Sequence, residues 1–460
     1  MRLRTGMAVL GLLLTGGLAG VTRADSVDDY LRAEMAHRHL PGLSVAVMQD
    51  GKLVKSAGYG FADVRAKTVA MPATVYGLGS CTKPITALAV LKLVEAGRVG
   101  LDEPIVTYLS GLPDAWKGIT VRHMLTHTSG LPNYRLRLDL NHLAGYTQAD
   151  SVRRLVAEVP LDFAPGTRYE YSNTNYHLLA EIIEKVSGRS YLDFVQSQIF
   201  RPAGLTGKAA RPVTGYLLQA GANVRNPLRF PPAINTGDSG LVMTAPDLAA
   251  VCAALDAGRL LRPATVCEME TAGPLADGTR TKYGLGWVVG VWKGHRLVGH
   301  SGAVPGYSST IYRLPDDNLS IVLLSNTYDG TPLTDSMALG VAKIYLPDMA
   351  KEDAPIPDVE PMVTTLLKQV LADLAAGRAD SSYFTPTMNA ALTPAVIAQT
   401  NGNLSPLGEL DLGSLALMKR TEEGGLRVYR YRVRYGDTPV FWTVHLTNDS
   451  KIAGLAPQAE

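Results

Sequence analysis

Ser80 and Lys83, in Gly79-Ser80-Cys81-Thr82-Lys83, set a hydroxyl and an amine three residues apart. At that spacing two helical side chains become neighbours. The amine can take the serine proton while the oxygen attacks a carbonyl, so no histidine is needed. A serine that opens a helix also lies beside unpaired backbone N–H groups, which can hold a developing oxyanion. Cys81, two residues before Lys83, points elsewhere and reads as a packed thiol.

Two further polar groupings could complete such a site. Tyr171-Ser172-Asn173 precedes a helix carrying Leu178, Leu179, Ile182 and Ile183. A phenol beside a lysine ammonium is expected to have a lowered pKa and to carry protons, and an amide two residues on can hold a substrate carbonyl. On their own, Tyr171 would read as a half-buried core tyrosine and Asn173 as a helix cap. Gly299-His300-Ser301-Gly302-Ala303 follows an expected strand, and its glycines would admit a substrate backbone to a sheet edge.

Rival chemistries are weaker. Gly237-Asp238-Ser239-Gly240 looks like a trypsin-type nucleophile segment, but Leu241 follows and no Ala-Ala-His-Cys lies upstream. His123 and His127 are four apart without an intervening glutamate, so they read as structural and no metal site is expected. No phosphate-binding loop appears, and no cofactor is expected.

The elements that must position these groups are legible in outline. Ile85, Leu88, Ala89, Leu91, Leu93 and Val94 recur at helical spacing, which predicts a helix from Ser80 to Ala96 with Pro84 in its first turn and Gly97 at its end. Helices are also expected over Val121 to Thr126 and His177 to Val186. Leu43 to Met48 and Leu53 to Tyr59 flank Asp50-Gly51 as a hairpin. A similar pattern recurs late, with Trp287 to Trp292, Lys293-Gly294, Arg296 to Gly299, Ser309 to Leu314 and Ser320 to Ser325. One antiparallel sheet built from both ends of the block, with helices between, is the expected arrangement.

The whole chain has 460 residues, 46% hydrophobic and 19% charged, in the range of soluble globular proteins. Arg2 and Arg4 precede an uncharged run from Met7 to Val21 and then Thr22-Arg23-Ala24, which predicts a signal peptide over residues 1–24 and export to the periplasm or beyond. The run is shorter than the roughly 20 residues that span a bilayer, so no membrane span is expected in the mature chain. Removing it leaves 41 basic against 42 acidic residues, a formal charge of −1, so nucleic acid is not an expected partner. Of the three cysteines, Cys252 and Cys267 could pair across adjacent helices or remain thiols.

A catalytic block is expected over residues 25–346, a proline-rich linker over 347–360 and a small α+β domain over 361–460. In that last domain Val363 to Ala375 and Pro394 to Thr400 read as helices, and Leu426 to Tyr435, Val440 to Leu446 and Ile452 to Leu455 as strands. Arg430, Arg432 and Arg434 alternate with Tyr429, Tyr431 and Val433, giving one basic and one packing face.

Ser-x-x-Lys, Tyr-Ser-Asn and His-Ser-Gly in this order, with Leu125-Thr126-His127-Thr128-Ser129-Gly130-Leu131-Pro132 and Tyr283-Gly284-Leu285-Gly286-Trp287, resemble the serine β-lactamase and penicillin-binding-protein group. The likeness is closest to the branch of class C β-lactamases, D-alanyl-D-alanine carboxypeptidases, D-aminopeptidases and family VIII esterases. It implies an α+β fold in which an antiparallel sheet is flanked by helices and joined by a mostly helical lobe.

The resemblance also implies site roles. Ser80 would be acylated, Lys83 and Tyr171 would shuttle the proton, and Asn173 would contact substrate. His300, Ser301, Gly302 and Ala303 would form the binding edge, with the N–H groups of Ser80 and Ala303 as the oxyanion hole. His300 stands where most β-lactamases have lysine, and a histidine with a pKa near 6.5 is only partly charged at neutral pH. An esterase or D-amino-acid peptide hydrolase acting on a small molecule or peptide is therefore expected first, a β-lactamase second and a non-catalytic binder third. The oligomeric state and the role of the last domain are left open.

Overall fold

The computed structural model describes residues 23–136, 152–153, 156–206, 211–219, 222–225, 237–328, 333–350 and 354–459. Residues 1–22 of the expected signal peptide lie outside them. No described helix is long and apolar enough to cross a membrane. The chain divides into two compact units, Met1–Ala350 and Lys351–Glu460.

The first unit is built on a seven-stranded sheet. In spatial order its strands are Thr68–Val69, Lys52–Asp63, Gly42–Gln49, Leu319–Ser325, Tyr307–Leu314, His295–Val304 and Val288–Trp292. Gly42–Gln49 pairs antiparallel with Leu319–Ser325, so both ends of the unit meet in the middle of one sheet. Two hairpins enter it through Asp50-Gly51 and Lys293-Gly294, each with both residues at positive φ. Two-residue loops of that conformation match the strand twist, which is why these dipeptides mark the turns.

Both faces of the central strands are covered, so they read as continuous apolar runs. Leu43, Val45, Val47, Ile321 and Leu323 pack toward the helices Arg23–His37 and Asp335–Tyr345. Ala46, Val322 and Leu324 face the opposite core, which holds the helix Thr82–Glu95. That helix is buried on nearly every side. The six apolar residues that recur at helical spacing are only part of its buried surface, because a helix surrounded by protein is apolar all round.

Ser80 lies not in the α-helix but in a 3-10 turn, Gly79–Cys81, that leads into it. This turn is pressed against the strand His295–Val304. A Cβ on Gly302 would overlap Leu78 O and Ser309 Oγ and come within 2.9 Å of Ser80 N. Ser309 Oγ also donates to Leu78 O at 2.6 Å, and Leu78 N donates to Leu241 O at 2.9 Å. The strand was expected to end before His300, but it continues through Val304 and carries the whole His-Ser-Gly motif.

The second unit is a four-stranded antiparallel meander, Leu410–Glu423, Leu426–Tyr435, Thr438–Leu446 and Ile452–Ala459. The helices Pro361–Ala375, Pro386–Ala391 and Pro394–Leu404 accompany it. Tyr429, Tyr431 and Val433 are buried while Arg430, Arg432 and Arg434 are half-exposed, following the alternation of the strand. Part of the expected linker is ordered against this unit, since Ile356 N donates to Leu417 O at 2.8 Å.

Gly302→Ala is expected to lower stability by about 1–3 kcal/mol, the usual cost of overpacking. It should also slow any reaction at Ser80 by moving the turn off the strand. Urea denaturation compared with labelling of Ser80 by a fluorophosphonate measures both, and an unchanged midpoint with unchanged labelling would contradict the close approach.

Candidate active site

Lys83 is wholly buried in the first turn of its helix. Its Nζ has three oxygen neighbours, Ser80 Oγ at 3.1 Å, Asn173 Oδ1 at 2.8 Å and the carbonyl of Asp238 at 2.9 Å. Two of these can only accept, so they hold two N–H bonds and leave the third direction of the nitrogen toward Ser80. That position can carry either a proton or a lone pair. Burial lowers the pKa of Lys83 to about 7, with the Asp238 carboxylate opposing and the Arg135 guanidinium reinforcing the shift. A free amine is then available near neutral pH, where an exposed lysine is almost wholly protonated.

Asn173 opens the helix Asn173–Ser187 rather than capping it; Ser172 occupies the cap position. Its amide is oriented by Asn133, whose Oδ1 accepts from Asn173 Nδ2 at 3.3 Å. The Asn173 oxygen is thereby turned toward Lys83.

Tyr171 lies over the same amine, with Lys83 Nζ 4.7 Å from its ring centre. Its buried hydroxyl makes no hydrogen bond of regular geometry, and the Ser80 hydroxyl is the side-chain group that interacts with it. Contrary to the expectation of a lowered pKa, burial raises the Tyr171 phenol well above its usual range. Desolvation of the phenolate outweighs the neighbouring charge. Tyr171 is therefore a neutral hydroxyl, able to donate and accept, and not a standing base.

His300 differs most from expectation. It is buried, with Nδ1 2.6 Å from Ser301 O and Nε2 2.8 Å from the Tyr283 hydroxyl. The carbonyl can only accept, so Nδ1 carries the proton and Nε2 accepts from Tyr283. Burial, with the nearby Lys83 charge, lowers its pKa to about 3. The imidazole is neutral and both nitrogens are engaged, so it offers no charge to a substrate carboxylate.

The strand alternation separates the remaining motif residues. Ser301 interacts with Asp335, a carboxyl that also accepts from Thr310 at 2.6 Å and is raised to about 6 by burial. Its hydroxyl is thus directed away from Ser80, against the expected contact with substrate. Ala303 N lies beside Gly79, where an added Cβ would be 3.0 Å away. The N–H groups of Ser80 and Ala303 therefore belong to adjoining backbone segments.

Several contributors were not anticipated. Tyr283 sat in a motif used only for family likeness, and Asn133, Tyr134 and Arg135 directly follow the Leu-Thr-His-Thr-Ser-Gly-Leu-Pro run. Asp238 belongs to the segment set aside as a protease mimic. His127 accepts at Nδ1 from Ser172 N and faces Asn175 Nδ2, both at 3.2 Å, among the rings of Tyr171, Tyr176 and Tyr283. His123 instead closes the turn at Thr120, so the two histidines face different partners. Cys81 Sγ donates to His300 O at 3.1 Å, as a packed thiol. Cys252 is buried and Cys267 exposed, both unpaired.

The candidate site thus sits between a central antiparallel sheet, a serine–lysine turn and a facing strand with a His-Ser-Gly sequence. The family model described as Beta-lactamase matches residues 27–346, and the chain belongs to that family. It is 31% identical over 323 residues to penicillin-binding protein 4* of Bacillus subtilis, covering 65% of this chain and 70% of that protein. It is 30% identical over 318 residues to a D-aminopeptidase of Brucella anthropi, covering 66% of this chain and 60% of that protein. Among solved structures, a D-amino acid amidase from Ochrobactrum anthropi matches with a TM-score of 0.60 and 26% identity, over 70% of this chain and 97% of that one. An octameric penicillin-binding protein homologue from Pyrococcus abyssi shares the fold over 95% of this chain and 96% of its own, with a TM-score of 0.63 and 24% identity.

Replacing His300 with lysine puts an ammonium where Tyr283 already donates. His300→Lys is expected to cost of order 3 kcal/mol, the scale of an uncompensated buried charge, as read by chemical denaturation. His300→Lys as stable as the wild type would contradict a neutral, enclosed imidazole.

Proposed function

We propose that this chain is a serine hydrolase that works through an acyl-enzyme on Ser80, with D-amino-acid amides, D-amino-acid peptides or neutral esters as substrates. One observation carries the reading: a wholly buried amine, lowered to about 7, stands 3.1 Å from the Ser80 oxygen. As Ser80 Oγ attacks the carbonyl carbon, its proton passes to the free Lys83 amine. The carbonyl oxygen gains negative charge between the N–H groups of Ser80 and Ala303, and each such donor is worth about 100- to 1000-fold in rate.

Collapse of this intermediate breaks the bond to the leaving nitrogen or oxygen. The neutral Tyr171 hydroxyl donates a proton to that atom and regains one from Lys83. A water molecule then attacks the acyl carbonyl and gives its proton back along the same path, releasing the acid and restoring Ser80. Tyr171 suits a relay because a neutral phenol donates and accepts at once. Asn173 holds the lysine through its oxygen while its nitrogen is tied to Asn133.

The substrate preference follows from charge. The neutral His300 supplies no cation for a carboxylate, which favours amides and neutral esters over D-Ala-D-Ala carboxylates and β-lactams. The relatives named as a D-aminopeptidase and a D-amino acid amidase support this choice. Export belongs to the same reading, on the strength of Arg2, Arg4 and the apolar run that follows.

Intact-mass analysis after a fluorophosphonate should show one adduct mapping to Ser80 and absent in Ser80→Ala. Turnover in that variant should fall by about 10^3-fold or more. Parallel assays on D-amino-acid amides, short-chain nitrophenyl esters, D-Ala-D-Ala peptides and a chromogenic cephalosporin should rank the first two highest. An adduct that survives Ser80→Ala, or a cephalosporin turned over fastest, would reject the mechanism or the substrate class respectively.

A further inference from the structure

Gly237-Asp238-Ser239-Gly240 has no nucleophilic role in this account, yet it runs along the helix Thr82–Glu95 and is fastened to it at successive points. Thr86 Oγ1 donates to Gly237 O at 2.6 Å, Lys83 Nζ to Asp238 O at 2.9 Å, and Leu241 N to Thr82 Oγ1 at 3.2 Å. Gly237 has no room for a side chain, since a Cβ would stand 2.7 Å from Tyr176 O and 2.8 Å from Ala180 Cβ. The carbonyl that holds Lys83 is therefore fixed by the segment around it.

The Asp238 side chain ties this segment to the loop after Pro132. Its carboxylate is wholly buried, and Oδ2 accepts from Tyr134 OH at 3.1 Å, Ser239 Oγ at 3.1 Å and Arg135 Nη2 at 3.2 Å. Arg135 Nη2 also donates to Ser239 Oγ, and its Nε faces Tyr134 OH at 3.4 Å. A buried carboxylate alone beside Lys83 would hold the amine as ammonium and spoil it as a base. The guanidinium offsets that charge.

We propose that Asp238 and Arg135 are positioning residues that fix Lys83 against Ser80 and balance the charge around its amine. This inference rests on the Ser80 acyl-enzyme reading and deepens it. Facing Lys83 are Ser80 and Cys81 from its own turn, Tyr171 and Tyr176 with ring centres at 4.7 and 5.6 Å, Asn173, Asp238 and Arg135. His127 and His300 lie within reach of its charge. Burial keeps both tyrosines and Cys81 protonated and both histidines neutral. Among these described residues, Asp238 and Arg135 are thus the fixed charges that act on Lys83.

The two residues must then move the lysine in opposite directions. Only the free amine can accept the Ser80 proton, so fluorophosphonate labelling should rise with pH through about 7 and level off. Asp238→Asn keeps the shape but removes the anion, making the amine less basic, so the rising limb should move about one unit to lower pH. At pH 6 that is about fivefold faster labelling, each protein measured relative to its own plateau. Arg135→Gln should move the limb about one unit upward, and the double variant should return it near the wild-type position.

Limbs that stay in place while plateaus fall, or that both move the same way, would overturn the proposal and leave the Ser80 reading intact. Labelling that persists in Ser80→Ala would overturn both. Arg135 is partly exposed, so Arg135→Gln carries the test alone should Asp238→Asn fail to fold.

Discussion

Everything at this site depends on an amine held away from water next to a serine. An ammonium in a dry cavity is costly, and the protein can lower that cost by adding a counter-ion or by letting the proton go. Here two neutral oxygens, from Asn173 and the Asp238 backbone, take two of the lysine's hydrogen bonds, and among the described residues no carboxylate oxygen is bonded to it. The proton is left loosely held, facing Ser80. A direct salt bridge would have made a more stable lysine and a poorer base.

That arrangement requires backbone segments distant in sequence to close on one small volume. The helix Thr82–Glu95 can bring Lys83 inward because it is packed on all sides. Gly79 and Gly302 then let the Ser80 turn lie directly on the strand that carries Ala303. The sheet is closed by pairing Gly42–Gln49 with Leu319–Ser325, so the strand bearing His300 is fixed by contacts across almost the whole first unit. Loosening any of these supports would separate the N–H groups of Ser80 and Ala303 before it disturbed the serine and lysine, which lie three residues apart.

What could be read in advance is what local rules determine. Asp50-Gly51 and Lys293-Gly294 announce their hairpins because left-handed turns select such residues, and Ser80 with Lys83 is legible because helical spacing is short-range. The charge states were not legible. A lysine beside Tyr171 suggests a lowered phenol, but burial, to which the rings of His127 and Tyr283 packed against it contribute, reverses the sign. His300 looks like a switchable cation until Tyr283, 17 residues earlier, is found on its far nitrogen. Asp238 and Arg135 lie over 100 residues apart, and no local pattern links them. In the second unit, Leu410–Glu423 escaped notice because its charged residues and register shifts hide the alternation.

The central claim is that Lys83 gives up its proton near neutrality, and nitrogen NMR of the lysine side chains tests it most directly. Protein labelled with 15N-lysine would be titrated from pH 5 to 11, with the Lys83 resonance assigned by its loss in Lys83→Met. The account predicts a midpoint near 7 for that amine. A midpoint at about 10, the value of an exposed lysine, would show a permanent ammonium beside Ser80 and would contradict the account.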